Sequence, residues 1–213
     1  MRSRTAALLI GPALGLALLA GCGDEGPAGA SDPAGTEPIT PRAMAAIALD
    51  HLPPDPRKAE LVVYYSDVPG PDDAEIREAA GDPVEIAIRY GSDYGGDRVS
   101  VAVGAPRDGG PCGGSQADQC AEIEADGATA YLTWVEEEPE EDPGVVQVLS
   151  RRDGVDVLAR YTGDAITGDP RDLDLGVTVE QLVEVATDPR ISTSTTSEAI
   201  RAGNDLAVWR GED

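Results

Sequence analysis

Asp153-Gly154, set between Val145–Arg152 and Val155–Tyr161, constrains the fold of this chain more than any other pair of residues. A two-residue hairpin turn of type I′ needs positive φ at both central positions, and Asp-Gly meets that need at low cost. The flanks are rich in valine, leucine and tyrosine, so the pattern predicts two antiparallel strands with a tight connection. Val84-Glu85-Ile86-Ala87-Ile88-Arg89-Tyr90 alternates in the same manner, with Val84, Ile86, Ile88 and Tyr90 on one side. Val99–Val103 repeats the alternation after a Gly/Asp-rich turn, and the two runs predict a second hairpin. Further strands are expected over Thr129–Val135, with Leu132 and Trp134 on one side, and over Leu61–Tyr65. A short last strand is expected over Leu206–Trp209.

Helices announce themselves by their caps. Thr40-Pro41 supplies an N-cap and a first-turn proline for a helix that runs through Leu49 and stops before Pro53-Pro54. Pro71-Asp72-Asp73 opens a short helix to Ala80, with Gly81 as its C′ residue. Thr178-Val179-Glu180-Gln181 matches a capping box, and Val179, Leu182, Val183 and Ala186 then recur at core spacing. Thr195-Thr196-Ser197-Glu198 is a weaker box, with Gly203 as its stop. These elements define an α+β class: a mostly antiparallel sheet of about five or six strands with flanking helices.

The first two dozen residues carry a different message. Arg2 and Arg4 precede an apolar run from Thr5 to Leu18, which is short of the ~20 residues that span a bilayer. Leu19-Ala20-Gly21-Cys22 follows directly. The arrangement resembles the lipobox signal peptide of bacterial lipoproteins. That resemblance implies cleavage before Cys22, a diacylglyceryl group on its thiol, and anchoring at the extracytoplasmic face of the cell membrane. Two acyl chains hold durably where one holds only marginally. The single lysine, Lys58, against 15 arginines, with much Ala, Gly, Pro and Asp, resembles the usage of high-GC bacteria such as actinobacteria.

The organisation expected is a signal peptide over 1–21, a tether over 22–39 and one α+β domain over 40–213. Residues 22–39 are rich in Gly, Pro, Ala and acids, a composition that cannot bury enough apolar surface to order itself. A coil of that length spans roughly 20–25 Å.

Charge narrows the partners. The 16 basic residues less Arg2 and Arg4 leave 14 against 40 acidic ones, a net of −26 for the chain after the leader. Nucleic acid is therefore not expected as a partner, because phosphate binding draws on Lys and Arg. Attraction to anionic lipid is opposed as well, so the membrane contact rests on Cys22.

Cys112 and Cys120 enclose the nine-residue segment CGGSQADQC. In an exported chain the default is a disulfide, which leaves Cys22 as the odd thiol for lipidation. A redox pair is more usually spaced C-x-x-C, and a zinc site needs further ligands that one histidine hardly provides. His51, the only histidine, stands at the end of the first helix, where an imidazole gains from the helix dipole. Neither G-x-S-x-G nor H-E-x-x-H occurs. The acids Glu136, Glu137, Glu138, Glu140, Glu141 and Asp142 gather around Pro139. They read as a solvated loop that discourages edge pairing, with weak divalent-cation binding as the sharper alternative. Thr162-Gly163-Asp164 and Thr167-Gly168-Asp169 echo one another in turn chemistry. No cofactor signature is present. The function expected is a non-catalytic binding module at the cell surface, whose loops engage a protein partner or another extracytoplasmic ligand. The alternatives are an envelope hydrolase using paired acidic residues, or a small-ligand or divalent-cation carrier.

Overall fold

A computed structural model describes residues 36–62, 84–91, 96–106, 112, 119–125, 127–140 and 142–210. The leader, Cys22, the expected helix over 71–80, most of the run 61–65 and Glu141 lie outside the described residues.

The sheet grows outward from the hairpin at Asp153-Gly154. Strands β7 (Val145–Arg152) and β8 (Val155–Thr162) pair antiparallel with Arg152 opposite Val155. Asp153 and Gly154 take φ of 50° and 76°, the positive values that a type I′ turn demands. On the β7 side follow β6 (Ala128–Val135) and β5 (Cys120–Ala125). On the β8 side follow β4 (Arg98–Gly104), β3 (Val84–Arg89) and β2 (Lys58–Leu61). The order β2-β3-β4-β8-β7-β6-β5 joins two meanders through the β4–β8 pairing. A separate pair, β1 (Thr36–Pro38) with β9 (Ser194–Thr196), is also antiparallel. The chain is thus already paired at Thr36, ahead of Thr40, where composition starts the domain.

Register turns alternation into a core. Ile86, Val101, Ala159, Val148 and Leu132 lie opposite one another in one row across five strands. Ile88, Val99, Tyr161 and Val146 form the next, and every one of these side chains is fully buried. Burying a large aliphatic side chain contributes about 1.5–3 kcal/mol, so these rows carry much of the stability.

Helices cover this face. Helix α1 (Pro41–Leu49) packs on β2–β4, and α2 (Val179–Thr187) packs on β5–β8. The Ala43 N–H donates to Thr40 Oγ1 (3.2 Å), and Thr178 with Gln181 completes both bonds of the capping box. Helix α3 (Ser197–Asn204) lies on α1. Gly203 is inside this helix rather than its stop. A Cβ there would stand 2.5 Å from Ala43 N, so glycine is what lets the two backbones approach.

The sheet has seven strands rather than five or six because both edge strands are weakly apolar. In β2, Ala59 and Leu61 face the core while Lys58 and Glu60 form an ion pair (3.0 Å). In β5, Ala121, Ile123 and Ala125 pack against the core while Glu122 and Glu124 are exposed. An edge strand needs only one apolar face, and alanine supplies it faintly. Leu206–Trp209 forms no strand and contributes a single parallel bridge, Ala59 with Trp209. The cap of α3 is Thr196, whose Oγ1 accepts from Ala199 N, and not Thr195, which is buried in β9.

Candidate functional site

The outer edge of β5 has no strand partner among the described residues, and beside it runs a cleft of about 590 Å³. One wall is β5 itself, from Glu122 to Ala125. The other is the side of α2 that carries Val179, Glu180, Val183 and Glu184, with Arg171 at one end. Helical spacing puts Val179 and Val183 in line, so the floor of Ile123, Val179 and Val183 is apolar. The rim is acidic: Glu122, Glu124, Glu180 and Glu184. The guanidinium of Arg171 is already occupied by Asp169, whose carboxyl it holds below the usual range. Glu124 accepts from Thr129 Oγ1 (2.9 Å). An extended chain laid here would find backbone groups on β5 that no described strand pairs, an apolar floor and a negative rim.

His51 is absorbed elsewhere. Its Nε2 donates to Asp188 Oδ2 (2.8 Å), and Nδ1 stands 3.6 Å from Glu184 Oε2. Both ring nitrogens thus face carboxylates, whereas a general base needs one of them turned to a nucleophile. Asp188 also accepts from Arg190 Nη2 (2.6 Å). Burial pushes the Asp188 carboxyl up, but the bonds from Arg190 and His51 outweigh it and leave the group below its ordinary range. The guanidinium of Arg152, reaching over from β7, donates to the carbonyls of Ala186 (3.0 Å), Ile191 (2.7 Å) and Asp188. It supplies the cation that the last turn of α2 lacks in its own sequence. The whole cluster staples α1, α2 and β7 together.

The described residues of the acidic loop do separate work, most of it through the backbone. Glu138 and Asp142 pair by backbone (2.8 and 3.0 Å), with Glu140 at φ 73° between them. Asp142 Oδ1 accepts from Gly144 N (2.8 Å), Glu137 N donates to Ile166 O (2.9 Å), and Glu136 accepts from Gln119 (3.4 Å). Among the described residues no three Asp, Glu, His or Cys side chains come together as a cation cage.

A pair of carboxylates does converge on Tyr161. Its hydroxyl lies 2.6 Å from Asp164 Oδ2 and 3.0 Å from Asp97 Oδ1. Burial and then the bond to Asp164 push the phenol well above its ordinary pKa. The backbone closes around them. Gly176 N donates to Asp164 (2.7 Å), and a Cβ on Gly163 or Gly176 would collide with the Asp97 carboxylate. This pair locks a loop crossing, with both carboxylates held against the phenol.

Cys112 and Cys120 form a disulfide with Cα atoms 5.7 Å apart, fixing the start of β5. The segment 113–118 between them lies outside the described residues. The described part has no helix long and apolar enough to cross a membrane. Compared with protein-family models, with curated proteins and with solved structures, the chain finds no match. The cleft escaped sequence reading because residues 122–125 meet 171 and 179–184 only through the fold. The one local signal was the alternation of Ala121, Ile123 and Ala125 with two glutamates.

Proposed function

We propose that this protein is a lipid-anchored binding module at the extracytoplasmic face of the cell membrane, without catalytic activity of its own. The observation that carries the reading is the β5–α2 cleft, with its open strand edge, apolar floor and four glutamates. Its partner is an extended segment rich in Lys or Arg, added as a further strand on β5. Backbone bonds supply affinity in such an addition, and alternate side chains supply choice. Glutamates on an edge repel copies of the same edge, so they exclude self-association while favouring a cationic visitor. The lipobox resemblance supports the location, and Cys22 is the lipidated residue in this reading.

Crosslinking on intact cells, followed by affinity capture and mass spectrometry, tests it. The expected result is a recurrent stoichiometric protein that is lost when exposed Glu124 and Glu180 are both replaced by arginine. A Cys22→Ala chain should leave the membrane fraction for the medium. Retention of that variant at the membrane overturns the anchor. Capture unaffected by the double charge reversal overturns the cleft.

A further inference from the structure

On the sheet face opposite the helices, the charge of the molecule is locally inverted. Lys58, Arg89 and Arg98 lie opposite one another across β2, β3 and β4. Arg160 on β8 stands opposite Ser100, one step diagonal from Arg98, which is opposite Thr162. Diagonal neighbours on paired strands are about 7–8 Å apart, within joint reach of two arginines. Glu60 answers Lys58 (3.0 Å) and Arg89 (2.9 Å). No ion pair answers Arg98 or Arg160 among the described residues, although the chain carries 40 acids and a net charge of −24. Among the described residues the Nε of Arg98 has no hydrogen-bond partner, and it is sealed from solvent, so what Arg98 offers a ligand is the outer end of its guanidinium. Arg98, Arg160, Ser100, Thr162 and Glu85 line a pocket of about 190 Å³.

We propose that this pocket binds a phosphate-class oxyanion, taken as inorganic phosphate or as a terminal phosphomonoester. Two guanidinium groups provide planar, charge-assisted donors suited to such oxygens. The hydroxyls of Ser100 and Thr162 add two more donors. Glu85 looks out of place beside an anion, but it sets the choice of anion. Phosphate keeps a P–O–H near neutral pH, as does part of a phosphomonoester, whose second pKa is about 6. Glu85 accepts that hydrogen, since a carboxylate has about four acceptor positions and can serve this partner beside another. Sulfate has no such hydrogen and meets only repulsion there. The site therefore takes phosphate in preference to sulfate. It lies on the opposite face from the β5–α2 cleft and does not depend on what binds there.

Calorimetric titration of the full-length protein in detergent, at pH 6 and low ionic strength, tests the assignment with inorganic phosphate, glycerol 3-phosphate and sulfate. Saturable phosphate binding is expected, weakened about tenfold or more in Arg160→Gln, as loss of one charge-assisted bond requires. Arg160 is exposed, so a thermal melt should show the variant folded. Arg98→Lys, which keeps charge but loses the fork, should weaken binding with the fold retained. In Glu85→Gln the preference for phosphate over sulfate should collapse toward parity. Tighter binding of inorganic phosphate identifies the free ion as the ligand, and tighter binding of the glycerol ester identifies an esterified one. Either supports the site. Absence of saturable binding by both, or phosphate binding unchanged in Arg160→Gln, overturns it.

Discussion

The two edges of the sheet are finished in opposite ways. Beyond β2 the C-terminal segment lies along the strand: Ala59 N donates to Val208 O (3.0 Å) and Arg210 N donates to Ala59 O (2.8 Å). Trp209 is buried there, 6 % exposed, with Arg42 over its ring at 5.7 Å. Beyond β5 no described residue performs that service, and the edge carries Glu122 and Glu124 instead. One edge is closed by hydrogen bonds and an aromatic plug, and the other, among the described residues, is guarded by charge. Covering an edge removes it from every partner, whereas charging it removes only like-charged partners. Among the described residues the difference leaves β5 as the edge without a covering segment.

Three measurements would break or sharpen that contrast. Trp209→Ala should have the largest effect, about 3–5 kcal/mol in chemical denaturation, because it empties a buried site and loosens the segment that seals β2. Sedimentation should then show self-association through the uncovered edge, and a variant that stays monomeric and equally stable would mean that Trp209 seals nothing. Reduction of Cys112–Cys120 should cost about 2.6 kcal/mol by loop entropy. Its mark should be faster amide exchange in β5 with β2 unchanged. The smallest effect concerns Asp188, which holds α2 against α1. Its carboxyl is depressed in the folded state, so its stabilisation is present above the unfolded value near pH 4 and is lost as pH falls through the folded value. Asp188→Asn should cost about 2 kcal/mol near neutral pH and flatten stability on acidification. An unaltered acid limb in the variant would remove Asp188 from this role.

Much of the fold was legible because its signals are local. The Asp153-Gly154 turn, the caps at Thr40 and Thr178 and the alternation in β3, β4 and β6 each act within a few residues, and the structure follows them. The edge strands were harder to read. Ala59, Ala121 and Ala125 give too little hydrophobic contrast for a period of two to stand out, and the apolar run from Leu61 drew the expected strand past β2. Gly203 looked like a helix stop because glycine serves there so often, but only α1 lying across it explains the residue. The sites were less legible still. The cleft unites residues 122–125 with 171 and 179–184, and Arg98 meets Arg160 only because β4 pairs with β8. Neither juxtaposition has a counterpart in linear spacing.

That β4–β8 pairing also sets an order of events. A chain delivered N-terminus first presents β2, β3 and β4 early, yet the partner of β4 is the last strand of the main sheet to arrive. Until residue 162 has emerged, β4 carries an unmatched row of backbone donors and acceptors, with Val99, Val101 and Val103 beside it. Long-range pairings of this kind close slowly, and an exposed edge in the interval invites aggregation. The central seam of the finished sheet is therefore the point at which a newly made chain most needs a holding chaperone, or delivery in an unfolded state.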